Sequence, residues 1–137
     1  PDSAPTYTSC MSPFTSTTYG CTLRTTTSSG WCEARAYCLS IGGDLYVPDT
    51  DQQFTDLKNA FAVGQQNWLW LGAVKQQGEW RWLSTRRDPY ASHDWHPAEP
   101  QADECGHLYS DNVGKGLADY YCTFQYFKAI CEATISP

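Results

Sequence analysis

Seven cysteines in a chain of 137 residues, none of them paired in a Cys-x-x-Cys clasp, restrict what this sequence can fold into more than any other feature. Such clasps hold zinc or exchange disulfides. Without one, the expected use of so many cysteines is covalent cross-linking in an oxidising compartment, and secretion is the simple expectation. The count is odd, so one thiol is left for a bond between chains or for burial as a small hydrophobe. Cys10 and Cys21 flank a segment containing Pro13, Phe14 and Gly20, a spacing that suits a small hairpin closed by its own bridge. A loop of that size gains roughly 3 kcal/mol on the chain-entropy estimate. Spacing alone does not choose the remaining pairings.

The length is that of one domain with a real core. Aromatic residues make up 15% and charged residues only 18%, so aromatic packing and loops are expected rather than charged helices. A net charge of −6, with no basic cluster longer than Arg86-Arg87, argues against a nucleic-acid surface. No apolar run approaches the roughly 20 residues that span a bilayer, and Pro1-Asp2-Ser3-Ala4-Pro5 lacks the basic and apolar parts of a signal peptide. The chain reads as a mature soluble form, and it carries no Asn-x-Ser/Thr sequon.

Residues 1–9 read as a flexible N-terminal leader, and residues 10–137 as the domain proper. Thr22–Thr27 is β-branched and suits a strand. Ser28-Ser29-Gly30 offers a cap to a helix from about Trp31 to Ser40, in which Trp31, Ala34 and Cys38 share a face and Gly42-Gly43 stops the run. Cys32 stands roughly 100 degrees round that helix from Trp31, off the buried face, which makes it the candidate for the unpaired thiol. A second helix begins near Asp49-Thr50, presents Phe54, Leu57 and Phe61, and ends by Gly64. Asn67–Val74 has the length and apolarity of a central buried strand, Gly78–Trp82 alternates like a second, and Gly106–Tyr109 and Tyr120–Glu132 supply the closing strands.

Between these lies an irregular stretch, Ser84–Glu104, of a length that compact domains rarely keep without a use for it. It ends in Trp95-His96-Pro97-Ala98-Glu99-Pro100-Gln101-Ala102-Asp103-Glu104-Cys105. A proline after a carboxylate holds the preceding residue extended and allows a cis bond, which lets Glu99 and Gln101 converge. Asp103 adds a second carboxylate. Hard oxygens of this kind suit calcium better than zinc. The plain alternative is an acidic surface turn. His93-x-x-His96 with His107 lacks the fixed ligand spacing of a zinc site, and solvent-facing or hydrogen-bonding histidines account for it better. No nucleophile elbow or Gly-rich phosphate loop is present, so an enzyme is not expected.

Taken in order, the motifs resemble the C-type lectin-like domain, long form, from Cys10 to Glu132. The resemblance rests on the Cys10/Cys21 hairpin, Trp31-x-x-Ala34-x-x-x-Cys38 with Gly42-Gly43-Asp44-Leu45, and Trp70-Leu71-Gly72-Ala73. It continues through Trp95-x-x-x-Glu99-Pro100, Cys105, Cys122 and Ile130-Cys131-Glu132. It implies an α+β fold with two helices flanking small antiparallel sheets, a long irregular ligand-binding loop, and disulfides Cys10–Cys21, Cys38–Cys131 and Cys105–Cys122. Cys32 again remains over, as a candidate for an interchain bond in a dimer. In sugar-binding members of that family, one calcium ion is held by the long loop and the following strand, and neighbouring sugar hydroxyls complete its coordination. Carried over, Glu99, Gln101, Asp103 and Asp119 are the calcium and carbohydrate ligands. Two departures stand out. Glu99-Pro100-Gln101 matches neither the mannose-type nor the galactose-type motif, and Leu117-Ala118-Asp119 replaces Trp-Asn-Asp, so Ala118 removes an oxygen ligand. Gly72-Ala73-Val74-Lys75 offers no carboxylate for an accessory ion, so one calcium site at most is expected. The resemblance implies a secreted lectin that takes glycans as partners, with Tyr90, Trp95, Tyr109 or Tyr120 available to stack on a sugar face. The alternative is a calcium-independent module of the same fold that binds sugar by hydrogen bonds and stacking, or that binds a protein or mineral surface.

Overall fold

The computed structural model describes residues 10–83, 95–96, 99 and 102–134. Residues 1–9, expected from the sequence as a leader, and most of the long stretch, including Tyr90, His93, Pro100 and Gln101, lie outside the described residues. Eight strands and two helices follow in the order β1 (Thr15–Thr17), β2 (Gly20–Arg24), α1 (Trp31–Ser40), β3 (Gly43–Leu45), α2 (Asp51–Ala60), β4 (Leu69–Gln76), β5 (Glu79–Trp82), β6 (Cys105–Ser110), β7 (Lys115–Tyr120) and β8 (Lys128–Ala133). The sheet runs β1-β2-β8-β4-β6-β7, with β3 on β8 and β5 on β4. Its pairings are antiparallel except β4 with β8, which is parallel, so the sheet is mixed rather than antiparallel throughout.

Each helix begins where a local donor problem is solved. Thr50 caps α2 by accepting the Gln53 N–H at 3.1 Å. α1 differs from expectation: its N-cap is Gly30, with no side-chain cap, because the Ser29 hydroxyl donates to the Gly30 carbonyl instead. The start of α1 is held from outside, by the Trp31 N–H on the Cys122 carbonyl at 2.9 Å. Beyond its end the chain turns at Gly42, whose φ of +91° is left-handed backbone open to glycine.

β4 is the centre of the molecule. Leu69, Leu71 and Ala73 point to one face and Trp70 to the other, and all four are fully buried. The first face meets Tyr46, Phe54, Leu57, Trp82, Leu108, Leu117 and Ile130. The second meets α1 through Trp31, Ala34 and Cys38, together with Phe127, Ala129 and Cys131. The large indoles bury no unpaired N–H in this second layer: Trp31 Nε1 donates to the Leu71 carbonyl and Trp70 Nε1 to the Ser29 carbonyl, each at 2.8 Å.

All three expected disulfides are present, Cys10–Cys21, Cys38–Cys131 and Cys105–Cys122. Cys32 is free and exposed. Two closing strands fall where the sequence places them, as β6 and within β8, but a further strand, β7, ends at Tyr120, and the linking segment Tyr121–Phe127 is a turn. Its aromatic run serves side-chain packing, since Phe124 and Phe127 pack edge-on at 4.7 Å and Trp70 meets Phe127 at 4.9 Å.

Candidate functional site

The β6–β7 hairpin sets the geometry. Its register pairs Gly106 with Asp119 and His107 with Ala118, so Asp119 and Ala118 face opposite sides of the sheet. Asp119 shares its side with Leu117 and is almost wholly buried at 6% exposure. Ala118 lies opposite His107 and brings no oxygen to either side.

The end of the long stretch is pinned beside this hairpin. Trp95 bridges Leu117 in parallel, and the His96 N–H donates to the Leu117 carbonyl at 2.9 Å. Such close passage needs a missing side chain, and Gly116 supplies it, since a Cβ there would sit 2.6 Å from the His96 nitrogen. The His96 imidazole holds Asp111 at 2.8 Å, and the Tyr109 ring lies edge-on to it at 4.8 Å. The Asp111 carboxylate also takes the Val113 and Gly114 N–H groups, and the His96 bond, helped by these two, keeps its pKa below the ordinary value. His96 is therefore an anchor for the loop. The sequence reading of His96 as a hydrogen-bonding histidine rather than a zinc ligand agrees with this, but it does not name Asp111; Asp111-Asn112-Val113-Gly114, a turn with a side-chain acceptor at its start, is the available signal.

From that anchor one turn, closed by the Glu99 N–H on the His96 carbonyl at 3.0 Å, delivers Glu99 to Asp119. The two carboxyl groups hydrogen-bond to one another. Burial first, then the bond to and charge of Asp119, raises the Glu99 pKa to about 7. Ionisation of each acid is thus opposed by the other, as expected where two like charges meet. From the other side the Asp103 N–H donates to Asp119 Oδ2 at 2.6 Å, while Lys75 N–H on the Glu104 carbonyl and the Cys105–Cys122 bond hold the loop's exit.

Of the four predicted ligands, then, Glu99 and Asp119 are brought together by side chain, Asp103 joins through its main chain, and Gln101 lies outside the described residues. Among the described residues no three His, Cys, Asp or Glu side chains gather as a metal site. The donors present fit calcium in kind, being hard oxygens, and fall short in number of the six to eight it takes. Trp95, predicted as a possible sugar platform, is core: it is buried and packs edge-on to Trp80 at 4.9 Å. Tyr109 and Tyr120 are half-buried.

His107 is no ligand either. Both ring nitrogens are buried without a hydrogen-bond partner among the described residues, and the ring packs against Phe127 at 4.6 Å. Burial drives its pKa down from 6.5 to about 3. The folded state therefore keeps the ring neutral while the unfolded chain takes up a proton. Its contribution is intact above the unfolded pKa and is lost as the pH falls from 6.5 towards 3. Urea unfolding across that range is expected to show stability falling with acid, and His107→Leu is expected to flatten the fall by about one proton. An unchanged slope in the variant would assign the acid sensitivity elsewhere.

The C-type lectin domain model matches residues 27–133. The chain belongs to the C-type lectin domain family. Among curated relatives, human C-type lectin domain family 17 member A is 26% identical over 112 residues, covering 80% of this domain's chain but 28% of the human protein. The calcium-independent C-type lectin SPL-2 of Saxidomus purpuratus superposes with a TM-score of 0.80 at 20% identity, over 98% of this chain and all of that one. The C-type lectin domain of murine dendritic cell inhibitory receptor 2, solved in complex with N-glycan, superposes at 0.74 and 20% identity, over 90% and 97% of the two chains. Proteins of this C-type lectin fold thus include both glycan-bound and calcium-independent forms.

Proposed function

We propose that this C-type lectin domain is a secreted glycan-binding protein whose sugar site is the Glu99–Asp119 pair, with one weakly held calcium ion as its cofactor. The observation that carries the reading is the meeting of these two carboxyl groups, 20 positions apart in sequence, at a half-buried rim. Two adjacent sugar hydroxyls suit such a pair, since carboxylate oxygens accept their protons. Calcium, when bound, supplies charge that accepts hydroxyl lone pairs. Glu99 and Asp119 would hold it, with Asp103 and Gln101 as the remaining ligands the loop offers. Asp103's N–H orients Asp119, and the His96–Asp111 anchor orients Glu99.

A second reading is a calcium-independent lectin working through the protonated pair itself, one carboxyl donating and one accepting. Ala118, which brings no oxygen, and the use of an Asp119 oxygen by the Asp103 N–H favour it, as does the likeness to the calcium-independent SPL-2 lectin. Three disulfides support an oxidising, extracellular setting. The exposed Cys32 thiol supports a disulfide-linked dimer that gains avidity, and a non-reducing gel against a reducing one tests it.

Glycan-array binding with and without a chelator separates the readings. Loss of signal on chelation, restored by calcium and not by magnesium, is the expected result for the calcium lectin. Binding indifferent to the chelator selects the metal-free lectin. Absence of binding to any glycan in either condition rejects both.

A further inference from the structure

We propose that this domain carries a second carbohydrate pocket, for a neutral pyranose, between α1 and the segment that leaves β2. A cavity of about 270 Å³ opens there. One wall is the helix, where Glu33 and Tyr37 stand one turn apart and so share a face. The other wall is Thr26, Thr27 and Ser29. Ala34 forms the floor, and its small side chain leaves the room that a larger residue would fill.

The two walls are rigidly placed. Thr25 N–H and Ser29 N–H donate to the Ala129 and Phe127 carbonyls, each at 2.9 Å, and the Thr25 hydroxyl accepts the Ala129 N–H at the same distance. α1 is tied to β8 by Cys38–Cys131. Of the groups that face the ligand, the Ser29 hydroxyl already donates to the Gly30 carbonyl at 3.0 Å and keeps its lone pairs to accept with. The Thr26 and Thr27 hydroxyls make no hydrogen bond among the described residues, and Tyr37 is 47% exposed. Among the described residues Glu33 accepts a hydrogen bond from the side-chain amide of Gln125, a long one at 3.4 Å.

The chemistry selects the ligand. Hydroxyls that both donate and accept, one carboxylate that accepts, and one aromatic ring for the C–H face of a sugar are what a pyranose needs. None of the residues lining the pocket is cationic, so sulfated or acidic sugars find no counter-charge. The pocket also lies apart from the Glu99–Asp119 pair. β8, β4 and β6 stand between β2 and β7, four strand spacings or roughly 19 Å, and Asp119 faces away from the α1 layer. A single chain would then hold two sugars at once and cross-link glycans with or without a bond through Cys32.

The test is an NMR titration of the isotope-labelled full chain in EDTA, with Asp119→Ala already in place to disable the first site. The probes are methyl α-mannopyranoside, methyl β-galactopyranoside and methyl N-acetyl-β-glucosaminide. At least one is expected to shift the amides of Thr26, Thr27, Ser29, Glu33 and Tyr37. Adding Glu33→Gln and Tyr37→Ala should weaken that response at least tenfold, and Thr27→Val gives a further variant should Tyr37→Ala disturb the fold. Silence of these amides with all the glycosides overturns the proposal, as does a response undiminished in the pocket variants. Because the first site is switched off throughout, failure here leaves the Glu99 reading intact, and the array experiment tests that reading separately.

Discussion

Asp119→Ala is expected to weaken glycan binding by about a hundredfold or more while leaving the domain folded. A hydrogen bond to a charged group is worth about 1.5–3 kcal/mol. Asp119 supports two interactions at the rim, one with the Glu99 carboxyl and one with the Asp103 N–H. Without it the sugar loses an acceptor, Glu99 loses the neighbour that positions its proton, and the Asp103 segment loses its latch. Each loss of about 1.4 kcal/mol is a factor of ten in affinity. Glu99→Ala should lose nearly as much, and the double variant little more than either single, because the two act as one unit. Isothermal titration against the best array glycan measures this, with thermal unfolding as the control. Additive losses would show that the carboxyl groups bind separately, and retention of affinity in Asp119→Ala would remove the site from β7.

The second large effect concerns stability. Replacing both Cys38 and Cys131 by Ala should cost about 4.5 kcal/mol, because their bond closes a loop 93 residues apart in sequence and the chain-entropy gain grows with loop length. Both cysteines are fully buried between α1 and β8, so little is recovered by relaxation. The Cys10–Cys21 pair, with a separation of 11, should cost about 3 kcal/mol on the same estimate. Urea unfolding of the two double variants checks the order. Equal losses, or a larger one for Cys10–Cys21, would contradict the account.

Much of the architecture was legible from residue pattern because it rests on short-range periodicity. Trp31, Ala34 and Cys38 recur at helical spacing and form the buried stripe of α1 as read. Cys32 falls off that stripe and is exposed. Phe54 and Leu57 do the same for α2, and the unbroken apolar run from Leu69 to Ala73 marks a strand covered on both faces. The last strand begins later than its pattern suggests for an equally physical reason. Tyr120–Phe127 looks like a strand because aromatic residues favour strands, yet here the rings stack on one another across a turn, Tyr120 on Tyr121 at 4.6 Å. Tertiary packing outweighed local preference.

The site divides in the same way. Residue types and order were enough to nominate Glu99 and Asp103, since acids near a proline and before a cysteine leave a mark in the sequence. Asp119, and Ala118 as a missing oxygen, came from the resemblance to the C-type lectin-like domain, at the position of its Trp-Asn-Asp motif. Which acids meet was a matter of register: pairing Gly106 with Asp119 turns that carboxyl toward the loop, and a slip of one residue would have sent it to the opposite face. The His96–Asp111 anchor, the meeting of Glu99 with Asp119, and the threonine-lined pocket beside α1 all depend on groups distant in the chain. Composition and periodicity report what each segment prefers alone, whereas distances between segments exist only once the core has closed around β4.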